Sequence, residues 1–331
     1  MMLNPIRLHY DNQIFKKQKY GGISQYFLDL DLGMSKTKEV KTTNRNEADI
    51  IHATYYTKMP YRLNSDQRLV STLYDMTPEK HPEFFLFGKF RSPHQRKNKW
   101  FNKSDLVISI SQSSANDLIY YMPKVEDRLR VIHLSTNIKS VTQLCCKQLE
   151  GKKYILFVGK REGYKNAMTI FRALRKLKDH SIPPLVVFAG GGEWSNDEKK
   201  SMTIAGIENM IRNISVNKNN LAWLYNHAEA VIVPSLSEGF SLPLIEALMF
   251  NTPIFASDIE AHKEVSGNYA TFVPALDTNS WSEIIMQMQT FASTKYRPTN
   301  LCKKENYQNL CNYYAINRMA NEHISAYRSV L

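Results

Sequence analysis

Short continuous apolar runs that alternate with one-sided helical patterns constrain this chain more than any other feature. In the second half the runs fall at 154–159, 185–190, 230–235, 253–258 and 269–274. Between them Ile170, Phe171, Leu174 and Leu177 share one helical face, and so do Leu221, Leu224, Tyr225 and Ala228. A strand buried on both faces reads as an unbroken apolar run, and parallel strands need helical crossovers. The pattern therefore predicts a parallel α/β sheet covered by helices on both sides. The first half repeats the theme at 6–11, 49–53, 69–75, 106–111 and 129–134, with helices after Gly22 and Ser111 and over much of 82–102. With 331 residues the chain exceeds what one core of about 250–300 residues serves, so two domains are expected. The polar stretch 139–153 is the natural linker. This places a first domain at 1–148 and a second at 149–300. A final helix follows at 301–331, with Tyr307, Leu310, Tyr314 and Met319 as its apolar positions.

Composition excludes several classes. Hydrophobic residues make up 43% and charged residues 22% of the chain, as in ordinary globular proteins. The four cysteines, Cys145, Cys146, Cys302 and Cys311, have neither metal-ligand spacing nor the density of a disulfide framework. The start lacks a signal-like apolar core, and no apolar run approaches the roughly 20 residues that span a bilayer. The expected location is the cytoplasm, including the inner face of the plasma membrane. The net charge of +12 peaks in 87–103, where Lys89, Arg91, Arg96, Lys97, Lys99 and Lys103 interleave with Phe87, Phe90, Trp100 and Phe101. Such a stretch suits an anionic membrane surface, and it equally suits a helix that turns its aromatics to the core. No nucleic-acid-binding motif accompanies the charge, so nucleic acid is not an expected partner.

The chemistry-bearing segment is Ser237-Glu-Gly-Phe-Ser-Leu-Pro-Leu-Ile-Glu246, which follows the strand at 230–235. Pro243 suits the first turn of a helix, where its missing N–H is not needed. Glu238 and Glu246 thus flank a glycine loop and a helix N-terminus. Free amides and the helix dipole favour phosphate, whereas carboxylates accept hydrogen bonds from sugar hydroxyls. A sugar joined to a nucleoside diphosphate fits both.

This segment closely resembles the Glu-Gly-Phe-Gly-Leu-Pro-x-x-Glu-Ala signature of the retaining glycosyltransferases of family 4. Tyr154-Ile-Leu-Phe-Val-Gly-Lys-Arg-Glu-Gly-Tyr-Lys-Asn166 resembles that family's donor-phosphate segment, and Asp11-Asn-Gln-Ile-Phe with Tyr20-Gly-Gly-Ile-Ser24 resembles its N-terminal glycine loop. Ile50-Ile-His-Ala and Thr72-Leu-Tyr-Asp-Met-Thr-Pro-Glu79 are similar to its acceptor-side motifs. The resemblance implies the GT-B fold, two doubly wound Rossmann-like domains facing a central cleft. It implies transfer of a hexose from a UDP- or GDP-sugar to a hydroxyl of a lipid-linked or polysaccharide acceptor, with the anomeric configuration kept. The products would belong to bacterial surface polysaccharides such as O-antigen or capsule.

The same resemblance assigns roles. Arg161 and Lys165 would neutralise the departing diphosphate, Glu238 would hold the sugar, and Asp75 would steer the acceptor hydroxyl. Gly21, Gly22, Gly159, Phe240, Ser241 and Leu242 would bind the donor, with Glu246 on its ribose. His52 and Tyr74 would line the acceptor side. No metal or other cofactor is expected if the two cations suffice. Asp29-Leu-Asp31 copies an Asp-x-Asp metal motif, but within a helix residues i and i+2 face apart.

Four departures bear on those roles. The family commonly places Arg directly after the glycine, where this chain has Lys160, so either Lys160 or Arg161 can be the phosphate ligand. Ser241 stands for a usual glycine and is strained if its φ is positive. Gln25 replaces a common Arg, and Tyr74 replaces a common His. Two rival readings remain open: a sugar-nucleotide epimerase of the same architecture, and a non-catalytic partner with a decayed donor pocket.

Overall fold

The computed structural model describes residues 4–19, 21–57, 63–85, 93–161, 163–290 and 304–331. They form two compact units, 1–137 with 311–331, and 138–310.

The first unit is a six-stranded sheet of β1 (Ile6–Tyr10), β2 (Val40–Thr42), β3 (Ile50–Ala53), β4 (Arg68–Leu73), β5 (Leu106–Ser109) and β6 (Leu129–Val131), in the order β2-β1-β3-β4-β5-β6. The second holds β7 (Ile155–Val158), β8 (Val186–Ala189), β9 (Ile211–Ile214), β10 (Ala230–Val233), β11 (Ile254–Ser257) and β12 (Ala270–Val273), in the order β12-β11-β10-β7-β8-β9. Every pairing is parallel. The fold is GT-B in its layers, with both halves α/β. In each sheet the winding reverses once, between β1 and β3 and between β7 and β10. Ligands of such sheets bind beyond the strand carboxyl ends at that reversal.

The strands β2 and β9 were not anticipated. β2 is a half-exposed edge, and β9 alternates buried Ile211 and Ile214 around Arg212 and Asn213, so neither shows a continuous apolar run. The helix expected over much of 82–102 is a 3-10 turn at Pro82–Phe84 and an α-helix at Pro93–Phe101. The stretch between 86 and 92, with Phe87, Lys89, Phe90 and Arg91, lies outside the described residues, as does the expected boundary at 300. Trp100 and Phe101 are buried, and Lys97 is buried on Glu79 (2.7 Å) and the Asp75 carbonyl (2.6 Å). These three therefore serve the core and offer nothing to a membrane. The single last helix is instead two, Lys304–Tyr313 and Ile316–Arg328. Among the described residues no helix is long and apolar enough to cross a membrane.

Helix Ile316–Arg328 completes the first core. It approaches helix Gly22–Met34 so closely that a Cβ on Gly33 would meet the Ala320 Cβ and the Ile316 carbonyl oxygen at 2.9 Å. Polar groups are also buried here. His323 donates from Nδ1 to the Met319 carbonyl (2.7 Å), which leaves Nε2 to accept from the Tyr26 hydroxyl at 2.7 Å. His52 has one ring nitrogen on Tyr327 and the other on Thr72, both at 2.7 Å. A buried polar group is tolerable when it is bonded in this way.

Burial holds both histidines neutral. It pushes His323 down to about 4, and it lowers His52 well below its ordinary value with help from His323 nearby. The unfolded chain takes up these protons near pH 6.5, whereas the core refuses them. The stabilisation is therefore complete above about 6.5 and is lost as pH falls toward 4, by about 1.4 kcal/mol per pH unit for each histidine. Urea unfolding across pH 8 to 4.5 is expected to show this decline, with a shallower slope in His323→Gln. Equal slopes would mean that the network does not govern the acid response.

Candidate active site

The reversal between β7 and β10 gathers the donor-side residues. β7 runs into Gly159, whose φ of 117° only glycine adopts readily. The chain then turns through Arg161 and Lys165 to Asn166, a left-handed residue that precedes helix Ala167–Leu177. β10 leads through Ser235 to Glu238 and then to helix Leu242–Met249, which has proline in its first turn. Backbone and side chain sew the two loops together. Leu236 N–H donates to the Tyr164 carbonyl (2.7 Å), and Asn166 Nδ2 donates to the carbonyls of Pro234 (3.0 Å) and Ala275 (2.9 Å).

At the centre, Lys165 Nζ donates to both Glu238 carboxylate oxygens, at 2.6 and 2.8 Å. The Ser235 hydroxyl adds a bond of 2.7 Å to Glu238 Oε1. Burial alone would raise the Glu238 pKa. Lys165, His262 and the hydrogen bonds from Lys165 and Ser235 outweigh it and hold the carboxyl below its usual range. Behind this pair, His262 Nδ1 donates to the Ser257 carbonyl (2.9 Å), and the Ser257 hydroxyl bonds the Ser235 carbonyl. Burial lowers the His262 pKa, against the opposing pull of Glu238. One turn along the helix, Glu246 is buried and accepts from the Tyr225 hydroxyl at 2.8 Å.

Arg161 has a different setting from the one expected for a phosphate ligand. Its guanidinium is buried, lies 4.3 Å from the Trp194 ring, and commits all five N–H groups within the unit. Nε and Nη2 grip Glu198 (2.7 and 3.3 Å), Nη1 donates to the carbonyls of Gly190 (2.9 Å) and Gly192 (3.1 Å), and Nη2 reaches the Glu193 carbonyl (2.8 Å). The three glycines, all at positive φ, wrap around it; a Cβ on Gly191 would strike Arg161 Nη1 at 2.7 Å. Lys160, one residue earlier, is exposed.

Ser241 takes the strained alternative. Its φ is 76°, it is 6% exposed, and its hydroxyl neither caps the following helix nor bonds elsewhere. Phe240 is buried and Leu242 partly so, at the start of the same helix.

In the first unit, Gly21 and Gly22 open helix Gly22–Met34, and Gln25 is spent on Asp29 (2.8 Å). Asp75 is half-buried and accepts from the Thr77 amide at 2.9 Å. Tyr74 is interior, with its hydroxyl on the Thr54 carbonyl (2.7 Å). His52 has no exposed surface and both ring nitrogens are engaged, so it belongs to the core network rather than to a ligand face. Asp29 is buried and Asp31 exposed, so the two diverge as helical spacing requires; among the described residues no cluster of three metal-binding groups occurs.

Residues 147–299 match the family model of glycosyl transferases group 1. The matched stretch, a little under half of the chain, is similar to that family over most of the second unit. Curated relatives of the chain include the O-antigen chain mannosyltransferase RfbU of Salmonella typhimurium, 24% identical over 72% of the chain. The O-antigen chain mannosyltransferase B of Escherichia coli is likewise 24% identical, over 69% of the chain. The matches span 66% and 62% of those relatives' own lengths, just under two thirds. Among solved structures, Anabaena HepE with UDP and glucose aligns with a TM-score of 0.72 at 12% identity, over 98% of this chain and all of that one. A sucrose-phosphate synthase from Thermosynechococcus elongatus aligns at 0.71 and 15% identity, over 99% of both chains. At such identities the likeness shows the fold.

Ser235, Tyr225 and His262 went unread in the sequence as site residues. Tyr225 fell on an apolar helical face, which its ring does occupy, and nothing local marks its hydroxyl as the partner of Glu246.

Two stability outcomes follow. Ser241→Gly relieves a left-handed serine and is expected to raise unfolding free energy by about 1 kcal/mol. Arg161→Ala strands Glu198 and three carbonyls, a loss of about 3–5 kcal/mol. Urea midpoints read both; a neutral Arg161→Ala would show that the clamp is dispensable.

Proposed function

We propose that the protein transfers a hexose from a UDP- or GDP-sugar to a hydroxyl of a lipid-linked or polysaccharide acceptor, with the anomeric configuration retained. The observation that carries this reading is the Lys165–Glu238 contact at the reversal of the second sheet, beside a helix N-terminus. A fixed cation and a fixed carboxylate stand where a phosphate and its sugar would meet. The leaving diphosphate gains charge as the anomeric bond breaks, and preorganised cations and amides stabilise that charge without reorganisation. Lys165 supplies one cation. Lys160 supplies the second, because Arg161 has no N–H to spare. Glu238 accepts from sugar hydroxyls, and Glu246, oriented by Tyr225, accepts from the ribose.

In the first unit Asp75 is the acceptor-side carboxylate, and Gly21 and Gly22 offer backbone amides to the donor. Support for a mannosyl donor comes from the O-antigen mannosyltransferases among the relatives, and support for a nucleotide comes from the UDP in the HepE complex. The same relatives point to O-antigen or capsule as the product class.

The test is a thermal-shift panel of UDP, GDP and their sugars, followed by transfer assays with the sugar that binds. A ligand that binds only the native state raises its melting point. Lys165→Ala is expected to lower kcat about 10²–10³-fold. Lys160→Ala should weaken donor binding about tenfold with an unchanged melting point. Near-full turnover in Lys165→Ala, or a free epimerised nucleotide sugar formed without acceptor, would overturn the assignment.

A further inference from the structure

The two groups assigned to opposite ends of the donor already satisfy each other. Lys165 gives two of its three N–H groups to Glu238, and Glu238 has only 8% of its side chain exposed against 20% for the lysine. We propose that this ion pair is a latch which makes the site prefer a nucleotide that still carries its sugar over the bare nucleoside diphosphate. The inference rests on the proposed function, since it takes Lys165 as the phosphate cation and Glu238 as the sugar carboxylate.

Consider what each ligand offers the pair. A bare diphosphate draws Lys165 toward its oxygens but brings no donor for Glu238. The carboxylate is then left buried with the Ser235 hydroxyl and its neighbour His262, and a buried charge that loses its partner is costly. A free sugar has the opposite defect, because its hydroxyls suit Glu238 and leave the ammonium without an anion. A nucleotide sugar replaces both halves of the pair at once, with phosphate on Lys165 and hydroxyls on Glu238.

The loops themselves hold still during this exchange. Leu236 is bonded to Tyr164, and Asn166 ties its own loop to Pro234 and Ala275, while Thr169 fixes the Asn166 amide at 2.8 Å. The pair therefore opens by side-chain rotation rather than by separation of the loops. Once the sugar has left, Lys165 and Glu238 close on each other again, which weakens the hold on the remaining diphosphate and speeds its departure.

Calorimetric titration of the full chain with UDP, GDP, UDP-glucose and GDP-mannose tests this. The wild-type protein should bind the sugar-bearing form at least tenfold more tightly than the same nucleotide without sugar. Glu238→Gln keeps the shape and removes the charge, which frees Lys165. It should bind the bare diphosphate about five- to tenfold more tightly than wild type and the nucleotide sugar more weakly. A gain of affinity is a result that a merely structural glutamate would not give.

Equal weakening of both ligands in Glu238→Gln, or an unchanged affinity for the bare diphosphate, overturns the latch. So does a wild-type protein that binds both forms equally, which needs no variant to fold. A wild-type protein that binds none of the four ligands overturns the proposed donor site as well.

Discussion

A parallel strand can be rejoined only by carrying the chain back across the sheet, and all twelve strands among the described residues are parallel. That requirement covers both faces of each sheet with helices, which is why the strands read as unbroken apolar runs. It also gathers every strand-to-helix turn at one edge. Where the winding direction changes, two neighbouring turns diverge to opposite faces and leave a crevice between them. The β7 and β10 turns flank that reversal, and they bear Lys165 and Glu238. The placing of Lys165 beside Glu238 is thus a consequence of connectivity, whereas the charges there come from the residues in the two turns.

Those turns are held by polar groups bonded within the second unit. Arg161 is the clearest case. It sits in the segment where a phosphate-binding arginine is expected, but its fork closes on Glu198 and on the carbonyls of the triple-glycine turn. A guanidinium with five filled donors ties the loop after β7 to the turn after β8. Asn166 does comparable work on the other side, where its left-handed backbone lets one amide group reach two strand ends. Ser241 shows the opposite economy, a residue kept in a strained conformation with an idle hydroxyl beside the helix start.

Much of this was legible in the amino-acid order, for a physical reason. Alternating apolar runs and helical faces report burial directly, so ten of the strands and the two-part organisation could be read from them. The strands that escaped, Val40–Thr42 and Ile211–Ile214, are the ones that carry polar or exposed residues. The Lys165–Glu238 neighbourhood was legible because the motif places both groups at strand ends. The surroundings of His52 and Arg161 were not. Their partners lie 275 and 37 residues away, and no local pattern records whether a ring nitrogen or a guanidinium meets solvent or a distant hydroxyl. Type and position suggested ligand contacts; long-range packing supplies protein partners for the same polar atoms.

The helix Ile316–Arg328 has a bearing on how the molecule is made. It closes the core of the first unit, and the bond between Tyr26 and His323 joins positions 297 residues apart. During synthesis the strands β1 to β6 therefore wait, with an apolar face unclosed, until the residues of the helix Ile316–Arg328 have been translated. The second unit draws on one uninterrupted stretch, 138–310, and completes its interior first. Order of manufacture and order of assembly are thereby reversed.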